Sequence, residues 1–232
     1  IYQLWNLQIA TPVALKNPYD SNFSGYGLGW FLTDVKGHKQ VYHTGGLIGT
    51  VTQFTLIPDM KLGIVVLTNQ QSGAAFSAIT NTIKDAYLGL EDRDWLKNFS
   101  ERMAKVNAKY DKEKQDVFAK SEAFKKEKKS QIKNEQITGT YTDLWFGDVT
   151  ISIDGKTIRL NCETSPRLKG ELIPYSPNVM VIKWDDRSYD ADAFVNFQMD
   201  ENGKAQGMKL KPISGVTDFS FDFEDLDLQK NK

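Results

Sequence analysis

The residue types that could do chemistry together fall in one short run, Val41-Tyr42-His43-Thr44-Gly45-Gly46. Thr44 brings a hydroxyl, and His43 an imidazole that is neutral or charged near neutral pH according to its surroundings. Gly45 and Gly46 carry no Cβ, so a strand ending in them can bring its backbone close to a ligand. A hydroxyl, a polar partner and an N–H aimed at a developing negative charge are what an acyl-transfer site asks of an edge strand. The plainer alternative makes His43 a structural hydrogen-bonding residue and Gly45 an ordinary turn glycine.

Other candidates are poorer. The one Ser-x-x-Lys spacing, Ser130-Gln131-Ile132-Lys133, lies in a lysine-rich stretch where it arises easily by chance, and it is read as solvated surface. Two histidines, His38 and His43, with the single cysteine Cys162 far from both, do not make a zinc set, so no metal is expected. His38 falls in a charged turn and is read as solvated. One cysteine also excludes an internal disulfide. Gly25-x-Gly27-x-Gly29 lacks the spacing and the helix start of a phosphate loop, and no cofactor is expected.

The run must be held by strands. Tyr26 to Asp34 and Gln40 to Thr44 read as antiparallel strands joined at Lys36-Gly37-His38-Lys39. Thr50 to Pro58 follows, then a turn at Asp59-Met60-Lys61 and a strand from Gly63 to Asn69. Alternation is poor in Ile64-Val65-Val66-Leu67, which predicts burial on both faces. Phe76, Ile79, Ile83, Ala86 and Tyr87 mark the apolar side of an amphipathic helix running to Leu88 and packed on the sheet. Ahead of the sheet, Ile1, Leu4, Trp5 and Leu7 have near-helical spacing, and Gln8 to Pro18 reads as a loop.

The ordered set Tyr26-Gly27-Leu28-Gly29-Trp30, His43-Thr44-Gly45, Pro58-Asp59 and Gly63-Ile64-Val65-Val66-Leu67-Thr68-Asn69 resembles the serine β-lactamase and penicillin-binding-protein family. The branch it looks most like is class C-like, which includes esterases and D-amino-acid peptidases. The resemblance covers roughly residues 1 to 90. In that family Lys/His-Thr-Gly is the last of three motifs, after a nucleophilic Ser-x-x-Lys and a Tyr-x-Asn or Ser-x-Asn. Here no tyrosine is followed two places later by asparagine, and Ser130 comes after His-Thr-Gly instead of before it.

The resemblance therefore implies the C-terminal part of a longer hydrolase, whose missing N-terminal part is its partner and carries the nucleophile. It implies that Thr44 hydrogen-bonds the substrate carboxylate or acyl group. It implies that Gly46 N–H is one of two oxyanion donors and that Gly45 provides clearance. His43 stands where many β-lactamases have lysine, a departure that tilts the expected chemistry toward ester or peptide hydrolysis. The substrate would be a small ester, a D-amino-acid peptide or a β-lactam, handled through an acyl-serine intermediate. A location outside the cytoplasm, periplasmic or secreted, is expected from the family alone. The other reading open at this point is a non-catalytic binding or interaction module built on a remnant hydrolase sheet.

From Glu91 to Glu135 the composition changes to 13 basic and 10 acidic residues, with neither Gly nor Pro. Trp95, Phe99, Met103, Val106, Tyr110, Val117 and Phe124 form an apolar seam, which predicts a long helix docked through its first half. The interleaved acids and small local excess of base argue against nucleic acid, as does the formal net charge of −1. No apolar run approaches the ~18 residues of a membrane span.

Residues 136–232 read as a separate all-β domain. Val149-Thr150-Ile151-Ser152-Ile153 and Thr157-Ile158-Arg159-Leu160 flank Asp154-Gly155, a hairpin signal. Val179 to Trp184 is another strand, and Phe194 to Met199 with Gly207 to Leu210 flank Asn202-Gly203. Alternating Phe219, Phe221 and Phe223 predict a final strand, while Trp145-Phe146 and Tyr175-Ser176-Pro177 read as loops. Seven or eight strands of this kind can close into a small barrel, which either holds a small apolar ligand or is filled by its own side chains. From the Gly139-Thr140-Tyr141 opening and the strand pattern, this part looks like the lipocalin-like domain of unknown function that trails many class C-like hydrolases. The fold class is thus α+β: the C-terminal portion of a β-lactamase-like antiparallel sheet with a packed helix (1–90), a charged helical connector (91–135) and a barrel-like domain (136–232).

Overall fold

The computed structural model describes residues 1–91, 93–127 and 132–231, with the backbone alone at 219. Ser130, the candidate set aside above, lies outside the described residues. By its contacts the chain falls into two compact units, Ile1–Lys105 and Val106–Lys232.

The first unit is a six-stranded antiparallel sheet in sequential order: β1 (Ile9–Ala10), β2 (Ser24–Tyr26), β3 (Phe31–Val35), β4 (His38–Leu47), β5 (Thr50–Ile57) and β6 (Leu62–Thr68). Tight turns set its register. Lys36 and Gly37, at φ 50° and 82°, make the two-residue turn between β3 and β4, the mirror-image type that suits strand twist. Residues 26–34, expected as one strand, are a hairpin instead. Gly27 N bonds Trp30 O at 2.7 Å, and Gly29 adopts φ 81°, which few residues but glycine take up without strain. Ile9–Ala10, expected in a loop, pairs with Gly25–Tyr26 as the edge strand. Ile1–Leu7 form successive turns rather than a helix, with bonds such as Leu4 N to Ile1 O.

Helix α1 (Gly73–Leu88) is capped by Ser72, whose hydroxyl accepts from Ala74 N, and starts three residues before the expected apolar stretch. It covers one face of the sheet only. Leu62, Ile64 and Val66 of β6 are buried against it, whereas Val65 and Leu67 are 58% and 75% exposed. Within this chain β6 is thus not buried on both faces as expected: the four apolar residues in a row alternate, because only one face has a neighbouring layer. The apolar side of α1 also differs from expectation. Ile79 and Tyr87 are exposed, and the fully inward positions are Ala78, Thr80, Lys84 and Asp85.

Helix α2 (Trp95–Phe124) follows, with its expected seam half-buried, and then the short helix α3 (Asn134–Ile137). Among the described residues no helix is long and apolar enough to cross a membrane.

In the second unit eight antiparallel strands close into a barrel: β7 (Gly139–Asp143), β8 (Gly147–Asp154), β9 (Thr157–Cys162), β10 (Lys169–Ser176), β11 (Val179–Trp184), β12 (Ala193–Met199), β13 (Ala205–Pro212) and β14 (Leu228–Lys230), with β14 pairing back onto β7. Both hairpin signals are realised, with Gly155 and Gly203 at positive φ. Side chains fill the interior. Tyr141, Ile151, Leu160, Ile182, Trp184, Met208 and Leu228 are all at most 2% exposed.

Two expectations fail here. Tyr175 and Ser176 belong to β10, where the Tyr175 ring packs on Phe194 at 5.0 Å. The alternating phenylalanines form no strand; Phe219–Phe221 is a single 3-10 turn, and Leu228–Lys230 closes the barrel. Asp218 Oδ1 accepts from both Ser220 N and Ser220 Oγ, and Asp222 has φ 50°, so local Asp and Ser bonding outcompetes a ladder.

Candidate functional site

His43, Thr44, Gly45 and Gly46 all lie on β4, which runs five residues past its last partner on β3. Phe31 pairs with Tyr42, and from His43 to Leu47 the strand pairs with β5 alone. The two-residue turn makes Val35 and His38 a hydrogen-bonded pair, so alternate residues from His38 onward direct their N–H and C=O toward the β3 side. Counting along the strand, Thr44 and Gly46 present theirs to the edge that β3 has left open. Gly45 faces the other way, and its carbonyl accepts from Thr52 Oγ1 at 3.5 Å.

His43 is held by a partner the sequence did not reveal. Its Nε2 lies 3.0 Å from the Tyr26 hydroxyl, and its ring stacks 5.7 Å from that of Phe31. Phe31 stacks in turn on Tyr42 and meets Tyr26 edge-on. The imidazole thus sits against the rings of Tyr26 and Phe31 at the point where β3 ends. Thr44 is paired with Gln53, whose side chain accepts from Thr80 of α1. A Cβ on Gly45 would meet Thr52 Oγ1 at 2.9 Å, whereas one on Gly46 would meet nothing closer than 3.8 Å. Clearance at Gly45 is therefore demanded by β5, and Gly46 opens the edge without being crowded.

His38, on the solvated surface as expected, is also bonded from Nδ1 to Asp59 Oδ2 at 2.7 Å, and that hydrogen bond holds the Asp59 carboxyl below its ordinary range.

Beneath the strand α1 carries a buried polar group. Lys84 Nζ donates to Gln40 of β4 at 3.2 Å and lies 4.0 Å over the Tyr19 ring. Burial pushes its ammonium down to about 8. Burial opposes the charge on Asp85 as well, yet bonds from Arg93 (2.8 Å), Trp95 Nε1 (2.6 Å) and Tyr19 outweigh it and hold the carboxyl below its usual range. The Arg93 guanidinium also donates to Pro18 O and sits over the rings of Tyr19 and Trp95. Apolar periodicity is blind to this network because its members are polar; the one local hint is that Lys84 and Asp85 follow Ala78 and Thr80 on one side of the helix. Among the described residues no three His, Cys, Asp or Glu side chains cluster as metal ligands would.

Two stretches of the chain match known families. Residues 5–88 match the β-lactamase family, and residues 124–230 match a domain of unknown function, DUF3471. No curated protein matches the sequence. Among solved structures the chain is similar to the octameric penicillin-binding protein homologue from Pyrococcus abyssi, with 17% identity and a TM-score of 0.35 over 99% of this chain and 41% of that one. It is also similar to SurE, with 11% identity and a TM-score of 0.33 over 99% of this chain and 41% of that one. The chain thus spans about 41% of the length of these structures. Residues 5–88, which hold the open β4 edge and its His-Thr-Gly-Gly run, are thus similar to the β-lactamase family, and residues 124–230 to a domain of unknown function.

Proposed function

We propose that the first unit is the C-terminal part of an acyl-serine hydrolase whose nucleophile lies in a segment outside this chain. The observation that carries this reading is the free edge of β4. Thr44 and Gly46 direct backbone N–H groups at it, beside a histidine fixed by Tyr26. Preorganised N–H donors of this kind stabilise the oxyanion of an acyl-transfer intermediate at no reorganisation cost. In this reading Gly46 N–H is one oxyanion donor, the serine's own N–H is the other, and Thr44 binds the substrate carboxylate or acyl group. The exposed Val65 and Leu67 support it too, as apolar surface suited to a covering layer.

Substrates are small esters or D-amino-acid peptides ahead of β-lactams, because a histidine at position 43 is a weaker anchor for a fixed carboxylate than a lysine. The hydrolase acts outside the cytoplasm, and it uses neither metal nor organic cofactor.

The test is intact mass after incubation with a fluorophosphonate and, separately, with a labelled penicillin. No adduct on this chain, with one adduct on a longer product that includes the preceding coding sequence, is the expected result. A stoichiometric adduct on this chain alone overturns it, and no adduct on either supports a non-catalytic binding module instead.

A further inference from the structure

The turn between β7 and β8 carries an aromatic side chain that the barrel does not use. Of the five tryptophans, all among the described residues, Trp145 alone is exposed, at 70%, and Leu144 beside it is wholly exposed. An exposed turn of this kind is ordinarily loose, but this one is tied down. Asp143, itself buried, accepts from Trp145 N and Phe146 N at 2.8 Å each through Oδ1 and from Asp227 N at 2.8 Å through Oδ2. The amides of Asp227, Phe146 and Trp145 hold its carboxyl below the ordinary range. Phe146 packs against the barrel core, and its carbonyl accepts from Thr164 Oγ1 at 2.7 Å. The indole is therefore presented outward on a backbone whose freedom is already lost on folding, which lowers the cost of binding through it.

Size and charge select what it binds. One indole of roughly 200 Å² with a leucine beside it falls well short of the ~800 Å² per partner of a stable protein interface. The exposed groups beside the turn are Asp148 on β8 and Glu163, linked by Glu163 N to Asp148 O at 2.9 Å, and Asp227, which is paired with Lys209 at 2.7 Å, so carboxylates outnumber the one ammonium. They oppose an anionic membrane surface. A flat aromatic face on a turn whose neighbouring strand residues carry carboxylate acceptors suits an uncharged ring with an apolar C–H face and hydroxyl donors on its rim. We propose that Trp145 is a stacking platform for a saccharide, with Asp148 and Glu163 accepting from its hydroxyls, and that the barrel is a carbohydrate-binding module.

The test is titration of the 232-residue chain with cellohexaose and with the hexamer of N-acetylglucosamine, followed by the indole N–H signals in nitrogen-15 NMR. The expected result is a shift of the Trp145 signal, saturating in the millimolar range with at least one oligosaccharide. Affinity falls at least about tenfold in Trp145→Ala and is largely kept in Trp145→Tyr. The undisturbed Trp184 signal reports that the variant barrel is folded. The proposal is overturned if neither oligosaccharide moves the Trp145 signal or if affinity survives Trp145→Ala. Binding to phosphatidylglycerol vesicles without any response to sugar overturns it as well.

Discussion

The Tyr26 hydroxyl lies 3.0 Å from His43 Nε2, across the point where β3 stops and β4 continues with one open edge. One hydrogen bond and the Phe31 stack thus decide where the imidazole of the His-Thr-Gly run points. Replacing Tyr26 by Phe keeps the ring contacts and removes only the hydroxyl. The expected outcome is a shift of the His43 ring nitrogen signals in NMR and a loss of about 1 kcal/mol in stability by denaturant titration. Unchanged His43 signals would mean that the hydroxyl does not fix the ring.

Lys84 links stability to pH. Its folded pKa of about 8 lies below the 10.5 of an unfolded chain, so between these values the unfolded state binds more protons and stability rises with pH. Burial raises the pKa of Tyr19, which acts oppositely above about pH 10, so the rise is clearest from pH 8 to 10. Lys84→Met removes the buried charge. Relative to the unmodified chain it gains up to about 3 kcal/mol at pH 7, less the hydrogen bond to Gln40, and the gain shrinks toward pH 10. A difference independent of pH across that range would refute the assignment.

The two glycines separate folding from function. Gly46→Ala makes only ordinary contacts, with Val51 Cγ1 at 3.8 Å and Thr50 O at 3.9 Å, and leaves stability within about 1 kcal/mol, so any loss of hydrolysis in a longer, nucleophile-bearing product reports on the site itself. Gly45→Ala forces Thr52 Oγ1 aside and costs about 1–3 kcal/mol. Thr52→Ala in the same chain recovers most of that loss, as melting temperatures of the three variants would show.

Cys162 faces the barrel core, and burial pushes its thiol up to about 12. Thiolate is the reactive form, so Ellman's reagent at pH 8 reacts with the native chain far more slowly than with the chain in guanidinium. Equal rates would indicate an open barrel.

Much of this was legible in the sequence where a local pattern has one cheap solution. Asp154-Gly155 and Asn202-Gly203 permit tight turns between alternating apolar strands, and the barrel hairpins form there. Tyr-Gly-Leu-Gly-Trp and His-Thr-Gly-Gly carry the resemblance to the β-lactamase family, and within them Gly27 lies where backbones approach closely, since a Cβ there would collide with Leu4 O. The helix from Trp95 to Phe124 follows from a seam without Gly or Pro.

Tertiary structure alone decided the rest, because each remaining choice depended on what stands opposite a residue. The run Ile64-Val65-Val66-Leu67 cannot state whether one face or two will be covered; α1 covers one. Phe219, Phe221 and Phe223 alternate like a strand, but Leu228–Lys230 completes the ladder to β7 and leaves them no partner strand. Lys84 and Asp85 look like surface until Tyr19, Gln40, Arg93 and Trp95 converge on them from distant parts of the chain. The residue types of the candidate site were written in His43-Thr44-Gly45-Gly46. Its open edge exists only because β3 turns away at Phe31 while β4 continues, a difference in strand length set by the Gly27–Trp30 turn and by β5 holding β4 from the other side.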